Sequence, residues 1–484
     1  MSIAVEHSPD LLPLAIDLDG TLIRSDSLIE GLSTLTADWR IVPSLLYLLS
    51  SGRAAFKRRI AELSPLDPAL LPYNENLLAY LRSQKSAGRR LVLATAADAT
   101  LAHAVAAHLG LFDEVIASDG VRNLKGETKA AALVERFGIK GFAYAGNSRA
   151  DLAVWRVAQG AVVVNAPGSV TAAAIATTPL EAEIDDRVGW ALPLLRTMRP
   201  HQWVKNLLVF VPIATAQAYG EASAWLGAIV MFAAFCATAS AIYIINDLTD
   251  LAADRAHPRK RLRAFARGSV PLPAGMAAAL VLLGMGCAAA WSIHTIFIIG
   301  AYAAGSILYS LKLKELPLVD VFCLAGFYTI RLFGGGEATG HSLSLWLLGF
   351  SSFLFFSLAL MKRVEELMAV GRAKGKSAAR RGYFADDAAT LQIFGCAASF
   401  ASSVVLALFV QNEATAQQYN SPGLLWGIVP LMLFWQCRLW LSTTRGYMHE
   451  DPIIYAARDW VTWAVGVMLV VLLVAAKSTT LFAS

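Results

Sequence analysis

The chain has 484 residues, 56% of them hydrophobic and only 16% charged, with a formal net charge of +5. That balance excludes an ordinary soluble protein, and no nucleic-acid partner is expected. Its five cysteines, Cys236, Cys287, Cys323, Cys396 and Cys437, fall in apolar segments at irregular spacing and read as packing residues rather than disulfide or metal ligands.

The apolar content is uneven. Residues 1 to about 195 carry many charges and read as globular, and the opening MSIAVEHSPD lacks the basic and apolar regions of a secretory signal. "LAIDLDGTL" predicts a short buried strand, Leu14 to Leu18, running into a Gly-Thr turn. Asp17 and Asp19 stand two apart at its end and should point the same way, with the amides of Gly20 and Thr21 free to approach an anion. A second strand, RRLVLATAAD, is expected to end in Thr95, and FDEVIASDG follows it. LKGETKAAAL offers Lys125 and Lys129 at a helix start, and the strand GFAYAG leads into NSRADLAVW with Asn147 and Asp151. Such alternation predicts a doubly wound α/β sheet with its ligand at the carboxyl ends of the strands.

The order DxDGT, Thr, Lys, GNSxxD resembles the haloacid dehalogenase-like (HAD) phosphatase superfamily over about residues 12–180. The resemblance implies that Asp17 is a nucleophile forming an aspartyl-phosphate, Asp19 the general acid/base, and Thr95 and Lys129 the holders of the phosphoryl oxygens. It also implies Mg²⁺ at Asp17, Asp19, Asn147 and Asp151, although the family usually has an acid where Asn147 stands, and an amide oxygen is a weaker ligand. Two readings follow: an active phosphatase, or a HAD fold kept as scaffold or regulator. An insertion at about 28–81, with apolar patches such as IVPSLLYLL, looks like a helical cap. The HAD-like domain is thus expected over 1–182, with a linker at 183–200 whose VGWALPLLRTM predicts a short interfacial helix.

From about Trp203 onward come apolar runs of roughly 17–22 residues, long enough to cross a bilayer. Nine spans are expected, centred near residues 210, 235, 281, 302, 326, 351, 399, 432 and 468. Alternate connections (AQAYGEAS, the WSIHT turn, GGGEATGHSLS, QNEATAQQYNSPG) hold no Lys or Arg, while the others are rich in both. Positive charge marks the cytoplasmic side, which predicts a multi-pass inner or plasma membrane protein with a cytoplasmic N-terminal domain and active site and an external C-terminus. The glycine-rich LFGGGEATG reads as a loop outside the membrane, and HTIFIIGAYAAGSILY as a close-packing helix.

"IINDLTDLAADRAHPRKR" carries Asp247, Asp250 and Asp254 at spacings of three and four, hence one helical face, followed by a burst of base. Acids at a helix C-terminus oppose its dipole, so their clustering suggests a divalent cation. Mg²⁺ takes few carboxylates and completes its shell with phosphate oxygens and water, which points to a diphosphate substrate.

NDLTDLAAD matches the NDxxDxxxD motif of the UbiA-type intramembrane prenyltransferases, a resemblance extending over roughly residues 196–484. RPHQWVKN, DRAHPRKRLR, YSLKLKELPLVDV, KRVEEL and EDPIIYAARD look like the decaprenyl-phosphate phosphoribosyltransferase branch. In that branch phosphoribosyl pyrophosphate (PRPP) loses pyrophosphate as a polyprenyl phosphate attacks C1, and the arginines and lysines offset the surplus negative charge.

The resemblance assigns Mg²⁺ and pyrophosphate to Asn246, Asp250 and Asp254, with Asp247 nearby. Lys205 is placed to hold a phosphate, at least one of Arg259, Lys260 and Arg261 to contact a substrate, and Tyr309, Lys312 and Lys314 to close the site. Lys362, Arg363 and Glu366 come from the next basic connection, and Asp451 and Arg458 from the last. Arg331 is a charge within a span and should pair with an acid of the site or face the lipid phosphate.

HPRKRLRA has Ala264 where the family has proline, and the second acidic DxxxD motif is missing, leaving Asp320 alone in LVDVFCLAG. The expected fold is therefore an α/β HAD-like (Rossmannoid) domain with a helical cap, then an all-α, UbiA-like membrane domain of nine transmembrane helices over 201–484. The expected function is transfer of 5-phosphoribose to a polyprenyl phosphate, followed by removal of the 5-phosphate by the HAD domain, with Mg²⁺ in both. The alternative is transfer of a prenyl group from a prenyl diphosphate to an aromatic or other polar acceptor.

Overall fold

The computed structural model describes residues 11–35, 53–119, 121–187, 189–372, 382–412, 418–449 and 451–478. The chain divides into two compact units, Met1–Thr197 with Ile244–Ala277, and Met198–Tyr243 with Ala278–Ser484.

The first unit is built on six parallel strands in the order β3-β2-β1-β4-β5-β6. They are β1 (Leu14–Ile16), β2 (Leu91–Asp98), β3 (Glu114–Ser118), β4 (Ala143–Gly146), β5 (Gly160–Val164) and β6 (Leu180–Ile184). The central strands are continuous apolar runs because both faces of a parallel sheet are covered. Leu14 and Ile16 enter one core with Leu77, Leu81 and Leu101, while Ala15 enters the other with Leu133, Phe142 and Trp155. In register, Leu14 pairs with Leu91 on one side and Ala143 on the other, which brings the carboxyl ends of β1, β2 and β4 together.

Three boundaries differ from expectation. Helices Ser27–Leu35 and Arg53–Leu63 pack through Leu35, Phe56 and Ile60, as a helical insertion should. Helix Glu75–Ser86, however, buries Leu77, Leu78 and Leu81 against the sheet, so it belongs to the α/β layer and the insertion ends before it. IVPSLLYLL lies outside the described residues. The last strand reaches Ile184, beyond the expected limit of 182, and helix Ala191–Thr197 exposes Leu192 (58%) and Leu195 (52%) as an interfacial helix would. Most consequentially, Ile244–Ala277, the segment bearing the aspartate motif, groups with the α/β unit rather than with the helices that flank it in sequence. The buried ion pair of Arg255 with Glu30 explains this, at 2.5 and 2.7 Å with side chains 7% and 2% exposed.

Among the described residues seven helices are long and apolar enough to span a membrane: Ala222–Thr249, Leu272–Ser292, Val319–Thr339, Leu345–Ala369, Asp387–Gln411, Pro422–Thr444 and Trp460–Ser478. The other two expected spans fall short. Residues near 210 form a 3₁₀ segment, Pro200–Phe210, and a short helix, Val211–Thr215, interrupted by Pro212, and Ile296–Leu311 has 16 residues, about 24 Å against a core of about 30 Å. Trp460–Ser478 exposes Trp463, Val467, Val470, Val471 and Val474, side chains that suit a lipid surrounding better than water.

The glycine run is not a loop. Gly334, Gly335 and Gly336 lie inside helix Val319–Thr339, buried. A Cβ on Gly335 would meet the Val209 carbonyl oxygen at 2.2 Å, and one on Gly334 the Met231 methyl at 2.5 Å. Glycine here admits two neighbouring segments to close approach, the use small residues commonly have between membrane helices. Gly305 in Ile296–Leu311 does the same more loosely against Phe327, at 3.3 Å.

Candidate functional site

A cavity of about 390 Å³ opens at the carboxyl ends of the first unit's strands, lined by Asp17, Asp19, Lys129, Asn147 and Asp151 among others. Asp17 follows β1 directly. Its Oδ1 accepts from the Leu18 amide at 2.9 Å and pairs with Lys129 Nζ at 2.8 Å, leaving Oδ2 without a protein partner among the described residues. Burial pushes its carboxyl up, and Lys129 opposes that. Asp19 turns to the start of helix Ser27–Leu35, accepting from the Ser27 amide (2.8 Å) and hydroxyl (3.2 Å). Burial, then the nearby Asp26, pushes it up to about 7. A carboxyl near that value can both give and take a proton at neutral pH.

Beneath these groups lies a buried relay. Lys129 Nζ donates to the Tyr144 hydroxyl at 2.8 Å, which donates to Asp151 Oδ1 at 2.7 Å. Asp151 Oδ2 accepts from the amides of Asn147 and Ser148 and the Ser148 hydroxyl at 3.2, 2.9 and 2.7 Å. Three donors crowd Asp151 Oδ2 while Oδ1 takes one, so Asp151 orients the Asn147–Ser148 turn through Oδ2 and keeps acceptor capacity on Oδ1. Asp17 Oδ2, Asp151 Oδ1 and the Asn147 side chain, unengaged among the described residues, are the groups here that fit Mg²⁺.

Two more expectations are corrected. The amides of Gly20 and Thr21 are spent within the turn, on Ser25 O (3.0 Å) and Leu18 O (3.3 Å), and are not free for an anion. Thr95 is fully buried, its hydroxyl accepts from Ala97 N at 3.0 Å, and β2 runs past it, so Ala96 rather than Thr95 lines the cavity. Lys57 of the insertion, overlooked in the sequence, lines it too and donates to Ala96 O at 2.9 Å. Its only sequence signal is a cationic cluster in RAAFKRRIAEL. Gly20 sits at φ +74°, where a Cβ would lie 2.2 Å from Asn147 Nδ2. Gly20→Ala should therefore displace the Asn147 side chain and slow about a hundredfold any turnover that depends on its position in this cavity, as rate measurements on the folded variant would show.

In the same unit, hydrogen bonding runs on helically through the aspartate motif, from Asp250 N to Asn246 O (2.9 Å) and Asp254 N to Asp250 O (2.8 Å). The acids do not act as one trio. Asp247 and Asp254 converge on Arg263, whose Nη1 reaches them at 3.2 and 2.6 Å. Among the described residues no three His, Cys, Asp or Glu side chains gather as a metal site. Asn246 and Asp250, four apart on one face, have side chains with no partner among the described residues, and this carboxylate and amide fit an oxygen-loving cation. Arg263 went unnoticed as one base among many. Arg259, Lys260 and Arg261 are exposed.

The second unit holds its own cluster. Asp451, 7% exposed at the start of helix Pro452–Arg458, meets Lys205 Nζ at 2.7 Å and Lys362 Nζ at 3.4 Å, and accepts from the Tyr328 hydroxyl at 3.3 Å. Beside Lys205, Asn206 Oδ1 accepts from Arg331 Nε at 2.7 Å. Arg331 also donates to the Tyr302 hydroxyl (3.2 Å) and the Phe327 carbonyl, and lies over the rings of Phe235 and Tyr302. Among the described residues no carboxylate pairs with it, against the first of its two expected roles. Two lysines thus share one acid, and beside them Arg331 has no carboxylate among the described residues; such an excess of cations calls for an anion.

The remaining residues lie elsewhere. Arg363 (1% exposed) pairs with Asp320 (0%) at 2.5 Å and with Glu366, and the Tyr383 hydroxyl donates to Asp320 at 2.6 Å, so Arg363 serves the fold and not a substrate as expected. Tyr309 meets Phe327 edge-on, Lys312 is exposed near Glu315 (3.6 Å), and Lys314 is half-buried. Arg458 lines a cavity of about 310 Å³ with Tyr447, His449, Tyr455 and Asp459.

Comparison with known proteins gives the family. Residues 207–447 match the UbiA prenyltransferase family and residues 14–156 match haloacid dehalogenase-like hydrolase. The chain belongs to the UbiA prenyltransferase family, with a HAD-like domain ahead of it. It is an integral membrane protein and an enzyme of that family. The uncharacterized protein y4nM of Sinorhizobium fredii is 38% identical over 470 residues, 95% of this chain and 90% of that one. Nodulation protein NoeC of Azorhizobium caulinodans is 34% identical over 266 residues, 54% of this chain and 85% of its own. Decaprenyl-phosphate phosphoribosyltransferase of Corynebacterium glutamicum is 35% identical over 189 residues, 38% of this chain, which spans 57% of that relative's length.

Proposed function

We propose that the membrane domain transfers 5-phosphoribose from PRPP to a polyprenyl phosphate at the cytoplasmic face, and that the HAD domain then removes the 5-phosphate. The cation excess at Lys205, Lys362 and Arg331 carries this reading, because both substrates are phosphates and a lone carboxylate, Asp451, cannot balance three cations. The phosphoribosyltransferase relatives, similar to this chain over its UbiA part, support it.

In the transfer, the bond from ribose C1 to pyrophosphate breaks and a polyprenyl phosphate oxygen bonds to C1, the pyrophosphate leaving with the electron pair. Asn246 and Asp250 would hold Mg²⁺, which would supply positive charge to offset that developing on a diphosphate leaving group. Arg263 keeps Asp247 and Asp254 in place, and Lys205, Lys362 and Arg331 hold phosphate oxygens. In the second step Asp17 attacks the 5-phosphorus, the bond to O5 breaks, and Asp19 protonates O5. Water then attacks the phosphorus of the aspartyl-phosphate as Asp19 takes its proton, the bond from phosphorus to the Asp17 oxygen breaks, inorganic phosphate leaves and the Asp17 carboxylate is restored, with Lys129 holding the phosphoryl oxygens throughout.

The rival reading, a prenyl diphosphate donor, needs a second acidic motif. Asp320, the acid nearest to filling that place, is fully buried and engaged by Arg363 and Tyr383. Membranes given labelled PRPP and polyprenyl phosphate should yield labelled lipid, and Asp250→Ala should lower the rate at least about a thousandfold. Label entering an acceptor from prenyl diphosphate, with none from PRPP, would favour the rival.

A further inference from the structure

We infer that residues 265–273, which follow the transferase's aspartate motif, form the specificity wall of the phosphatase cavity and select a phosphomonoester carried on a lipid. The inference rests on the proposed phosphatase role and adds to it the residues that choose a lipid-borne substrate over a soluble one. The cavity has two kinds of lining. Lys57, Lys125 and Lys129 supply cations around Asp17, suited to a phosphate. The other lining is apolar and comes from Phe265, Val270, Pro271, Leu272 and Pro273. No phosphate needs such a surface, but the remainder of a bulky, partly apolar substrate does.

The wall is firmly built. Arg255 is clasped by Glu30 at 2.5 and 2.7 Å, and its Nε donates to Ala266 O at 2.9 Å, which ties the segment to the phosphatase insertion. Gly268, at φ +70°, lets the chain pass Arg24, whose Cβ would stand 2.9 Å from a Cβ on residue 268. Phe265 is 1% exposed and packs so closely on Gly275 that a Cβ there would lie 2.5 Å from its ring. Leu272 and Pro273 are also the first residues of Leu272–Ser292, a helix long and apolar enough to enter a bilayer. A phosphate seated at Asp17, with its carrier along 270–273, therefore has that carrier beside the chain's own entry into lipid. A soluble sugar phosphate would leave this surface unused.

The test compares two probes on the full-length chain in nanodiscs, with Asp17→Asn present so that binding is read without turnover. One probe is decaprenylphosphoryl 5-phosphoribose in the bilayer, the other free ribose 5-phosphate. Pro273 is exposed and lies in the first turn of its helix, so a larger side chain there fills the cavity edge without entering the core. Pro273→Trp should weaken the lipid probe about tenfold or more and ribose 5-phosphate less than about twofold, while Pro273→Ala, a milder change, should narrow the preference in the same direction. Equal loss for both probes, or no change for either, would overturn the wall. Phosphate release by the chain with Asp17 intact is followed separately. If it is nil on both substrates the phosphatase reading falls, and the binding ratio still decides the wall.

Discussion

Replacing Arg263 with alanine should abolish lipid transfer to within about a thousandth of the wild-type rate and leave phosphatase turnover on a soluble substrate nearly intact. One guanidinium nitrogen serves both Asp247, 5% exposed, and Asp254, 2% exposed. Without it two buried carboxylates face each other's charge across two helical turns. Breaking such a buried pair costs roughly 3–5 kcal/mol, and since the Arg263 side chain is 33% exposed the lower end is expected here. Arg263→Lys retains the charge but not the reach to both acids, so it should recover only part of the rate. Radiolabelled transfer assays and thermal unfolding of the three proteins in one detergent check both halves.

Asp17→Asn should have the opposite signature. The amide cannot form the aspartyl-phosphate, so phosphate release should fall by at least about a thousandfold while transfer continues, and the 5-phosphorylated lipid should accumulate. Lys129 then loses the ion pair at 2.8 Å but keeps the Tyr144 hydroxyl, so the cavity should stay folded, as thermal unfolding would report. If instead lipid product from wild type and Asp17→Asn is identical, the HAD domain acts as scaffold, the role that Asn147 in place of an acid would also suit.

Local chemistry was legible and long-range pairing was not. DLDGT and the NSRAD turn could be read because each follows a strand end and most of its bonds stay within a few positions, whereas Lys129 reaches Asp17 only through the fold. The aspartate motif was equally plain, yet Arg263, 16 residues beyond Asp247, depends on a loop that folds back, and nothing in RKRLR marks one base above the next. Arg363 looked like a substrate contact because it stands in a basic connection, and only the fold reveals Asp320 as its partner. Gly334 to Gly336 looked like a loop because glycine weakens helices in water, whereas here it admits the Val209 backbone to the helix surface. Likewise no pattern in the sequence announces that Arg255 and Glu30 will meet and bind the aspartate motif to the HAD-like fold.

The most direct test of the two-step account uses PRPP labelled with ¹⁴C in the ribose and ³²P at the 5-phosphate, given with Mg²⁺ and polyprenyl phosphate to the wild-type chain and to Asp17→Asn. The account predicts that wild type leaves ¹⁴C alone in the lipid fraction and releases ³²P as inorganic phosphate, while Asp17→Asn keeps both labels in the lipid. No label in lipid from folded wild-type protein, or both labels retained by it, would contradict the account.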